Sequence, residues 1–317
     1  MGLPIIFIHK GYSSYLEFSL RQAKHTNPNS KIFLLGDNFN DRFQFITHVN
    51  IKDYFSSASE FPKIYKHLST NPYNFELFCF QRWFVLKDFM VINNIDNVLV
   101  CDSDLLLYSD FSANKEYFFK NEVELALCQY KEFATSAHLS YWTTNSIKDF
   151  CTFACDSYTE QDLINEYTAF WQKLQSQHKP GGVCDMTTLY FFFKNVPKNR
   201  VFNFLDIFNE ATCDDNVNEP HGAYSNEYSY KRFKKIQWIK GIPYCHNKRL
   251  NKLIKFNTLH FQGPAKYKIP FNYTGEKFEG ITRLKILYFI LSLCVFIYSK
   301  FCGKKIIKKL FSWQTIF

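Results

Sequence analysis

The chain of 317 residues is 46% hydrophobic and 19% aromatic, which suffices for one large core or two modest ones and excludes extended disorder over most of its length. The formal net charge is +9, but from Gly280 onward there are seven basic and no acidic residues. The remaining body is nearly neutral, which argues against general binding to nucleic acid. The ten cysteines are scattered without CxxC pairs, which favours reduced thiols in a cytoplasmic protein.

Strands and helices alternate in the N-terminal part of the chain. The expected elements, in chain order, are a strand over residues 3–9, a helix over 12–24, a strand over 31–35, a helix over 75–92 and a strand over 97–101. The opening segment has neither the basic region nor the long apolar core of a signal peptide, so we expect the mature chain to begin at Met1. The alternation is typical of an α/β fold.

Two carboxylates, Asp102 and Asp104, follow directly after the predicted strand over 97–101. In open α/β sheets, ligands bind at the carboxyl ends of the strands. Two hard oxygen donors at that position can hold a divalent cation, which can in turn hold a diphosphate. Three further polar residues end the first two predicted strands and are expected at the same edge from their position alone: His9, Lys10 and Asp37.

The segment 79–110 combines the predicted helix, which carries Arg82, with the strand and its Asp-any-Asp sequence. It resembles the donor-binding core of GT-A glycosyltransferases, especially glycosyltransferase family 8, in which a helix with an arginine precedes this motif. A weaker match, residues 181–189, resembles the segment whose aspartate lies near the sugar in these enzymes. Here that residue is Asp185, although the family's usual Asp-Gln is Asp-Met in this chain.

A third match comes late in the chain. Residues 259–266 resemble the family's His-two residues-Gly-two residues-Lys motif through His260, Gly263 and Lys266. The three matches occur in the family's order and together bracket residues 79–266. An ordered combination of this kind is far more specific than a single Asp-any-Asp sequence.

The resemblance implies a GT-A (Rossmann-like) fold, with a mixed sheet flanked by helices. It also implies a glycosyltransferase that transfers a hexose from a nucleotide sugar, on family grounds a UDP-sugar, with retention of configuration. It implies three protein ligands to Mn²⁺, or to Mg²⁺ in its place: Asp102, Asp104 and His260. Carboxylate oxygens and an imidazole nitrogen suit Mn²⁺ on chemical grounds as well. The resemblance further implies that Lys266 and Gly263 contact the diphosphate. It implies catalytic roles for Arg82, at the donor, and for Asp185, near the sugar.

The chain divides, by this interpretation, into a catalytic body and a tail. The body, residues 1–279, would bind the nucleotide sugar mainly through 1–110 and the acceptor through 111–279. The tail, 280–317, contains an uncharged run over 286–299, which as a helix spans roughly 21 Å, less than the roughly 30 Å of a bilayer core.

Lysines paired with apolar residues follow this run at 304–309. We therefore expect residues 283–317 to form a helical, membrane-associating tail on an anionic surface at the cytoplasmic face, and the acceptor to be a glycan or lipid-linked precursor. Two alternatives remain open for the tail: a short true span with snorkelling lysines, and a core helix with a solvated basic end.

Several site residues have simpler interpretations. Arg82 could pair with Glu76 or Asp88 on the exposed side of its helix, and Asp185 could cap a helix over 186–194. His260 could be a satisfied core histidine in its apolar strand. The basic run over 231–235 is interpreted as a solvated edge.

Other function classes also remain open. Haloacid dehalogenase phosphatases carry an Asp-any-Asp after a strand, and Cys213-Asp214-Asp215 could imitate their later acidic motif. In those enzymes, however, the motif follows the first strand of the domain. A sugar nucleotidyltransferase usually needs an N-terminal glycine-rich loop, which residues 1–14 do not supply. A non-catalytic sugar-nucleotide-binding scaffold of a glycan assembly is the remaining alternative.

Overall fold

The structure is a computed structural model that describes residues 2–131, 134–230 and 233–301. The described strands are β1 Ile5–His9, β2 Ile32–Gly36, β3 Thr47–Asn50, β4 Asn97–Cys101, β5 Leu105–Leu107, β6 Leu125–Lys131, β7 Ala134–Thr143, β8 Val201–Asn203, β9 Ala211–Thr212, β10 Ser229–Tyr230, β11 Phe233–Lys234, β12 Gln237–Ile239, β13 Ile242–Asn247, β14 Lys252–Phe256 and β15 Thr258–His260. The described helices are α1 Leu16–Thr26, α2 Ser56–Glu60, α3 Tyr73–Ile92, α4 Ser112–Lys120, α5 Thr144–Asp156, α6 Gln161–Ser176, α7 Asp185–Asn195, α8 Ile269–Asn272 and α9 Ile281–Phe301.

The chain folds into two compact units that alternate along the sequence. The first unit takes Met1–Val49, Cys101–Lys115 and the chain from Phe204 onward. The second takes Asn50–Val100 and Glu116–Asn203. The expected functional division of the body at residue 110 remains a prediction.

Parallel pairing of β1 and β2 organises the start of the first unit. Their register places His9 opposite Gly36, so the ends of the two strands lie side by side. The amphipathic helix α1 buries Leu16, Phe18 and Leu20. It starts at Leu16, four residues later than predicted. Between β1 and this helix, Gly11 has a φ of +82°, and its N–H donates to Asp37 Oδ2 at 2.7 Å.

The rest of the first unit is built from short strands. A four-stranded sheet has the order β12-β13-β14-β9, and β15 pairs with β5 in an antiparallel ribbon. Apolar residues from α1, β5, β14 and β15 form one continuous core, in which Phe18, Leu106, Phe256 and Leu259 are buried. This core fixes the ribbon that carries the candidate site.

The second unit contains strands in the order β4-β7-β6-β8. Strand β6 pairs antiparallel with β7 and parallel with β8, so the pairing is mixed. Helices α3, α5 and α7 pack against one another in this unit, and α5 and α7 also pack on β7. Trp83 of α3 meets Trp142 of β7 with 5.3 Å between ring centroids. The predicted α/β class, with mixed strand pairing flanked by helices, is confirmed.

Helix α9 begins directly after Gly280 and packs on the first unit. Ile281 and Leu284 contact its core, and the Tyr288 hydroxyl lies 2.6 Å from the Ser14 hydroxyl. Among the side chains of α9 that the structure describes, up to residue 292, four large apolar ones are exposed instead: Ile286, Leu287, Phe289 and Ile290. Within residues 2–131, 134–230 and 233–301, no helix is both long and apolar enough to cross a membrane. The lysines at 304–309 lie outside the described residues.

Candidate functional site

The predicted carboxylate pair lies on a tight turn between β4 and β5. The Leu105 N–H donates to the Asp102 carbonyl at 3.1 Å, which closes the turn. Strand β5 then pairs with β15 so that Leu105 stands opposite His260, and the Phe261 N–H donates to the Asp104 carbonyl at 2.9 Å. Strand register therefore brings Asp104 and His260 together.

Asp102, Asp104 and His260 form a cluster that fits a divalent cation. Each offers one ligand atom, and these atoms lie within 4.8 Å of one another. A cation that holds its ligands at roughly 2.0–2.6 Å separates them by at most about 5 Å. His260 Nε2 lies 3.5 Å from Asp104 Oδ1, too far for a strong hydrogen bond. The donor set of two carboxylates and one imidazole is one that Mn²⁺ accepts.

Lys266 adds a positive charge to this cluster. It lies on the 3₁₀ turn Gly263–Lys268, whose first residue has a φ of +59°, a left-handed conformation that favours glycine. Lys266 Nζ is 3.3 Å from Asp104 Oδ2 and 5.4 Å from the centroid of the Tyr15 ring. The predicted set Asp102, Asp104, His260, Gly263 and Lys266 is thus assembled within the first unit.

Asp104 is the electrostatic centre of the cluster. Burial raises the pKa of its carboxyl, but the charges of His260 and Lys266 more than offset this and hold the pKa well below its usual range. Burial likewise lowers the pKa of His260, but Asp104 outweighs burial and brings the pKa to about 9. Lys266 has a pKa above its ordinary value, because Asp104 outweighs the effect of burial.

The three residues predicted from strand position have different surroundings. His9 Nε2 is buried and has no hydrogen-bond partner among the described residues. Burial and then the charge of Lys266 lower the pKa of His9 to about 4, so the ring is neutral at physiological pH. Asp37 accepts the Gly11 N–H at 2.7 Å and thereby ties together the loops after β1 and β2. Lys10 is exposed in its loop.

Arg82 and Asp185 meet in the second unit. Arg82 Nη2 lies 2.9 Å from Asp185 Oδ2, and Trp83 Nε1 donates to the same oxygen at 3.1 Å. The alternative that Arg82 lies on the exposed side of its helix does not hold, since only 17% of its side chain is exposed. Asp185 is the first residue of α7 rather than its cap, and the N-cap residue is Cys184.

One residue of the basic run over 231–235 corrects the sequence interpretation. Lys234 is buried rather than part of a solvated edge, because its ammonium group pairs with the buried Asp214 carboxylate. The sequence does not predict that the segment from Asp214 to Asn216 lies around His260. The neighbouring acids Asp214 and Asp215 are the available signal, but their pattern indicates only a possible phosphatase motif.

Comparison with known proteins gives matches at the level of structure only. No protein-family model matches the chain, and no curated protein matches it. The apo form of mouse xyloside xylosyltransferase 1 aligns with 63% of this chain and 84% of its own, at 6% identity and a TM-score of 0.45.

Two other solved structures align over more of the chain. The apo bifunctional glycosyltransferase WbbM aligns with 90% of this chain and 51% of its own, at 9% identity and a TM-score of 0.47. The galactosyltransferase LgtC with donor and acceptor sugar analogues aligns with 90% of this chain and 95% of its own, at 14% identity and a TM-score of 0.43. Likenesses this distant establish neither a family nor an activity, so function must be argued from the site residues.

Proposed function

We propose that this chain is a metal-dependent GT-A glycosyltransferase that moves a sugar from a nucleotide-sugar donor, a UDP-sugar, to a glycan acceptor and releases UDP. One observation carries the proposal: Asp102, Asp104, His260 and Lys266 converge in the first unit. Their convergence supports the motif resemblance, because residues far apart in sequence meet as that resemblance requires.

The chemistry of glycosyl transfer from a nucleotide sugar calls for such a cluster. When the glycosidic bond breaks, the leaving diphosphate gains negative charge, and a Mn²⁺ held by the two aspartates and His260 would supply charge stabilisation there. One carboxylate oxygen of Asp104 faces His260 and the other faces Lys266. Asp104 can therefore orient both side chains. Besides the metal ion, the Lys266 ammonium group would provide a positively charged side chain that binds the diphosphate.

Arg82 and Asp185 are assigned to the donor sugar on the basis of the family resemblance. Their ion pair supports a shared function, since each fixes the orientation of the other. Transfer with retention of configuration and the hexosyl specificity follow from the same resemblance. NMR assignment of the product anomer tests the retention, and a panel of UDP-sugars tests the specificity.

The acceptor is proposed to be a lipid-linked or cell-envelope glycan precursor on an anionic membrane surface at the cytoplasmic face. The exposed apolar side chains of α9 support this proposal, because Phe289 is 54% exposed and Ile290 is 51% exposed on a helix that also carries Arg283 and Lys285. Apolar groups beside basic groups favour the interface of anionic lipid.

Vesicle flotation of the full chain tests the membrane proposal. We expect Phe289→Glu with Ile290→Glu to weaken binding to phosphatidylserine vesicles, whereas Phe119→Glu, at a residue that is 85% exposed in the second unit, leaves binding unchanged. Equal partition of both variants with the parent protein would refute the membrane proposal.

Calorimetric binding of UDP to the full chain tests the donor site. We expect binding with Mn²⁺, no binding with EDTA, and loss of binding in Asp104→Ala and His260→Ala. The matched control is Asp162→Ala, which removes an exposed carboxylate from α6 and should bind like the parent protein. UDP binding that is unaffected by EDTA or by both site variants would refute the metal-dependent donor site.

A further inference from the structure

The segment from Asp214 to Val217 makes three hydrogen bonds with His260. The Asp214 carboxylate accepts the His260 backbone N–H at 3.0 Å, and the His260 carbonyl accepts the Val217 N–H at 3.0 Å. His260 Nδ1 lies 2.6 Å from the Asp215 carbonyl oxygen. A carbonyl oxygen can only accept, so Nδ1 must carry a proton. Nε2 is then the nitrogen that faces Asp104.

Lys234 fixes this segment at two points. Its ammonium group pairs with Asp214 Oδ1 and donates to the Asn216 carbonyl at 3.2 Å. These two contacts stand on either side of Asp215, whose carbonyl oxygen holds the imidazole. Lys234 therefore holds the chain on both sides of that oxygen.

An ion pair buried as completely as this one is unfavourable if it serves only the packing of the core. Both side chains have no exposed surface, and the Lys234 ammonium group also lies 5.7 Å from the Phe256 ring centroid. Removing two charges from water is unfavourable, and well-packed apolar residues often stabilise such a position as well or better. What the pair provides here, and apolar residues cannot, is a fixed hydrogen-bonding geometry around His260.

We propose that Asp214 and Lys234 are positioning residues that hold the His260 ring in the orientation that presents Nε2 to a divalent cation. The inference rests on the metal site of the proposed function. Groups that hydrogen-bond to a metal-binding histidine set its tautomer and ring orientation, and their loss typically weakens metal binding by roughly 10- to 100-fold. Asp214 and Lys234 do not themselves contact the cation in this account.

The test measures Mn²⁺ affinity and nitrogen coordination on the full chain. Variants are Lys234→Met and the double variant Lys234→Met/Asp214→Asn, which removes both members of the buried ion pair and serves if the single variant does not fold. The control is Glu227→Gln, since Glu227 is also a buried carboxylate of the first unit and accepts a hydrogen bond from Asn247 Nδ2 at 2.8 Å. Electron spin echo modulation of bound Mn²⁺ reports a directly coordinated imidazole, with His260→Ala as the baseline.

We expect the folded Lys234 variants to bind Mn²⁺ roughly 10- to 100-fold more weakly and to lose the nitrogen modulation, as His260→Ala does. Glu227→Gln should keep both, even where its thermal stability falls. Parental affinity and nitrogen modulation in the folded double variant would overturn the positioning function alone. Failure of the parent chain to bind Mn²⁺ would instead refute the metal site and, with it, this inference.

Discussion

Replacing Asp104 by asparagine should remove most of the pH dependence that His260 gives to the stability of the metal-free protein. In the parent protein, Asp104 raises the pKa of the buried His260 from 6.5 to about 9. That shift corresponds to roughly 3 kcal/mol of interaction with the protonated imidazole. Below pH 6.5 the full contribution is present, because the ring is protonated in both the folded and the unfolded chain.

The contribution is lost as the pH rises through the folded-state pKa. Between pH 6.5 and about 9 the unfolded chain has released the proton and the folded chain has kept it, so the free energy of unfolding falls by about 1.4 kcal/mol per pH unit. In Asp104→Asn the strongest charge that raises the pKa of His260 is gone, while burial, which lowers this pKa, and the weaker effect of Asp102 remain. We therefore expect a neutral ring in the folded variant over this pH range.

The assay is urea denaturation at pH 6.5 and pH 9 with EDTA present. The difference between the two pH values should be about 3 kcal/mol larger in the parent protein than in Asp104→Asn. His260→Gln serves as the control and should match Asp104→Asn. An equal pH dependence in the parent protein and in both variants would refute the electrostatic argument.

Three other substitutions have defined outcomes. Lys266→Met should weaken the binding of UDP in the presence of Mn²⁺, measured by calorimetry, by roughly 10- to 100-fold, because one charge-assisted contact is lost. Binding of Mn²⁺ itself should not weaken. A UDP affinity equal to that of the parent protein would contradict this prediction. Gly182→Ala should lower the free energy of unfolding by about 1–3 kcal/mol, because the added Cβ would lie 2.2 Å from the Leu68 carbonyl oxygen; unchanged stability on urea denaturation would count against it. Arg82→Met should cost about 1–3 kcal/mol in the same assay, since it removes the cationic partner of the buried Asp185, and Arg82→Lys should recover part of that loss.

The sequence predicts those parts of the site that depend on local pattern. Asp102 and Asp104 follow an apolar strand directly, so strand and carboxylates could be recognised together. His260 is different, because only the pairing of β15 with β5 brings it to Asp104, and no local pattern encodes that register. The motif resemblance supplied this residue, and the geometry is consistent with it.

Ion pairs between residues far apart in the chain, and the burial of charged side chains, could not be predicted from the sequence pattern. Arg82 and Asp185 are 103 residues apart, and their ion pair could not be derived from either helix alone. Lys234 stands in a basic run that favours a solvated surface, and its burial depends on a carboxylate 20 residues earlier in the chain. Strands β9 to β12 have only two or three residues each, too few to produce a readable alternation.

The central claim is sugar transfer from a UDP-sugar, and the most direct test is the release of UDP from a panel of UDP-sugars by the full chain. With Mn²⁺ we expect slow hydrolysis of one UDP-sugar, faster release when a suitable glycan acceptor is added, and loss of both with EDTA or in Asp104→Ala. A folded protein that binds UDP with Mn²⁺ but releases none from any UDP-sugar, with or without acceptors, would contradict the claim and favour a non-catalytic scaffold.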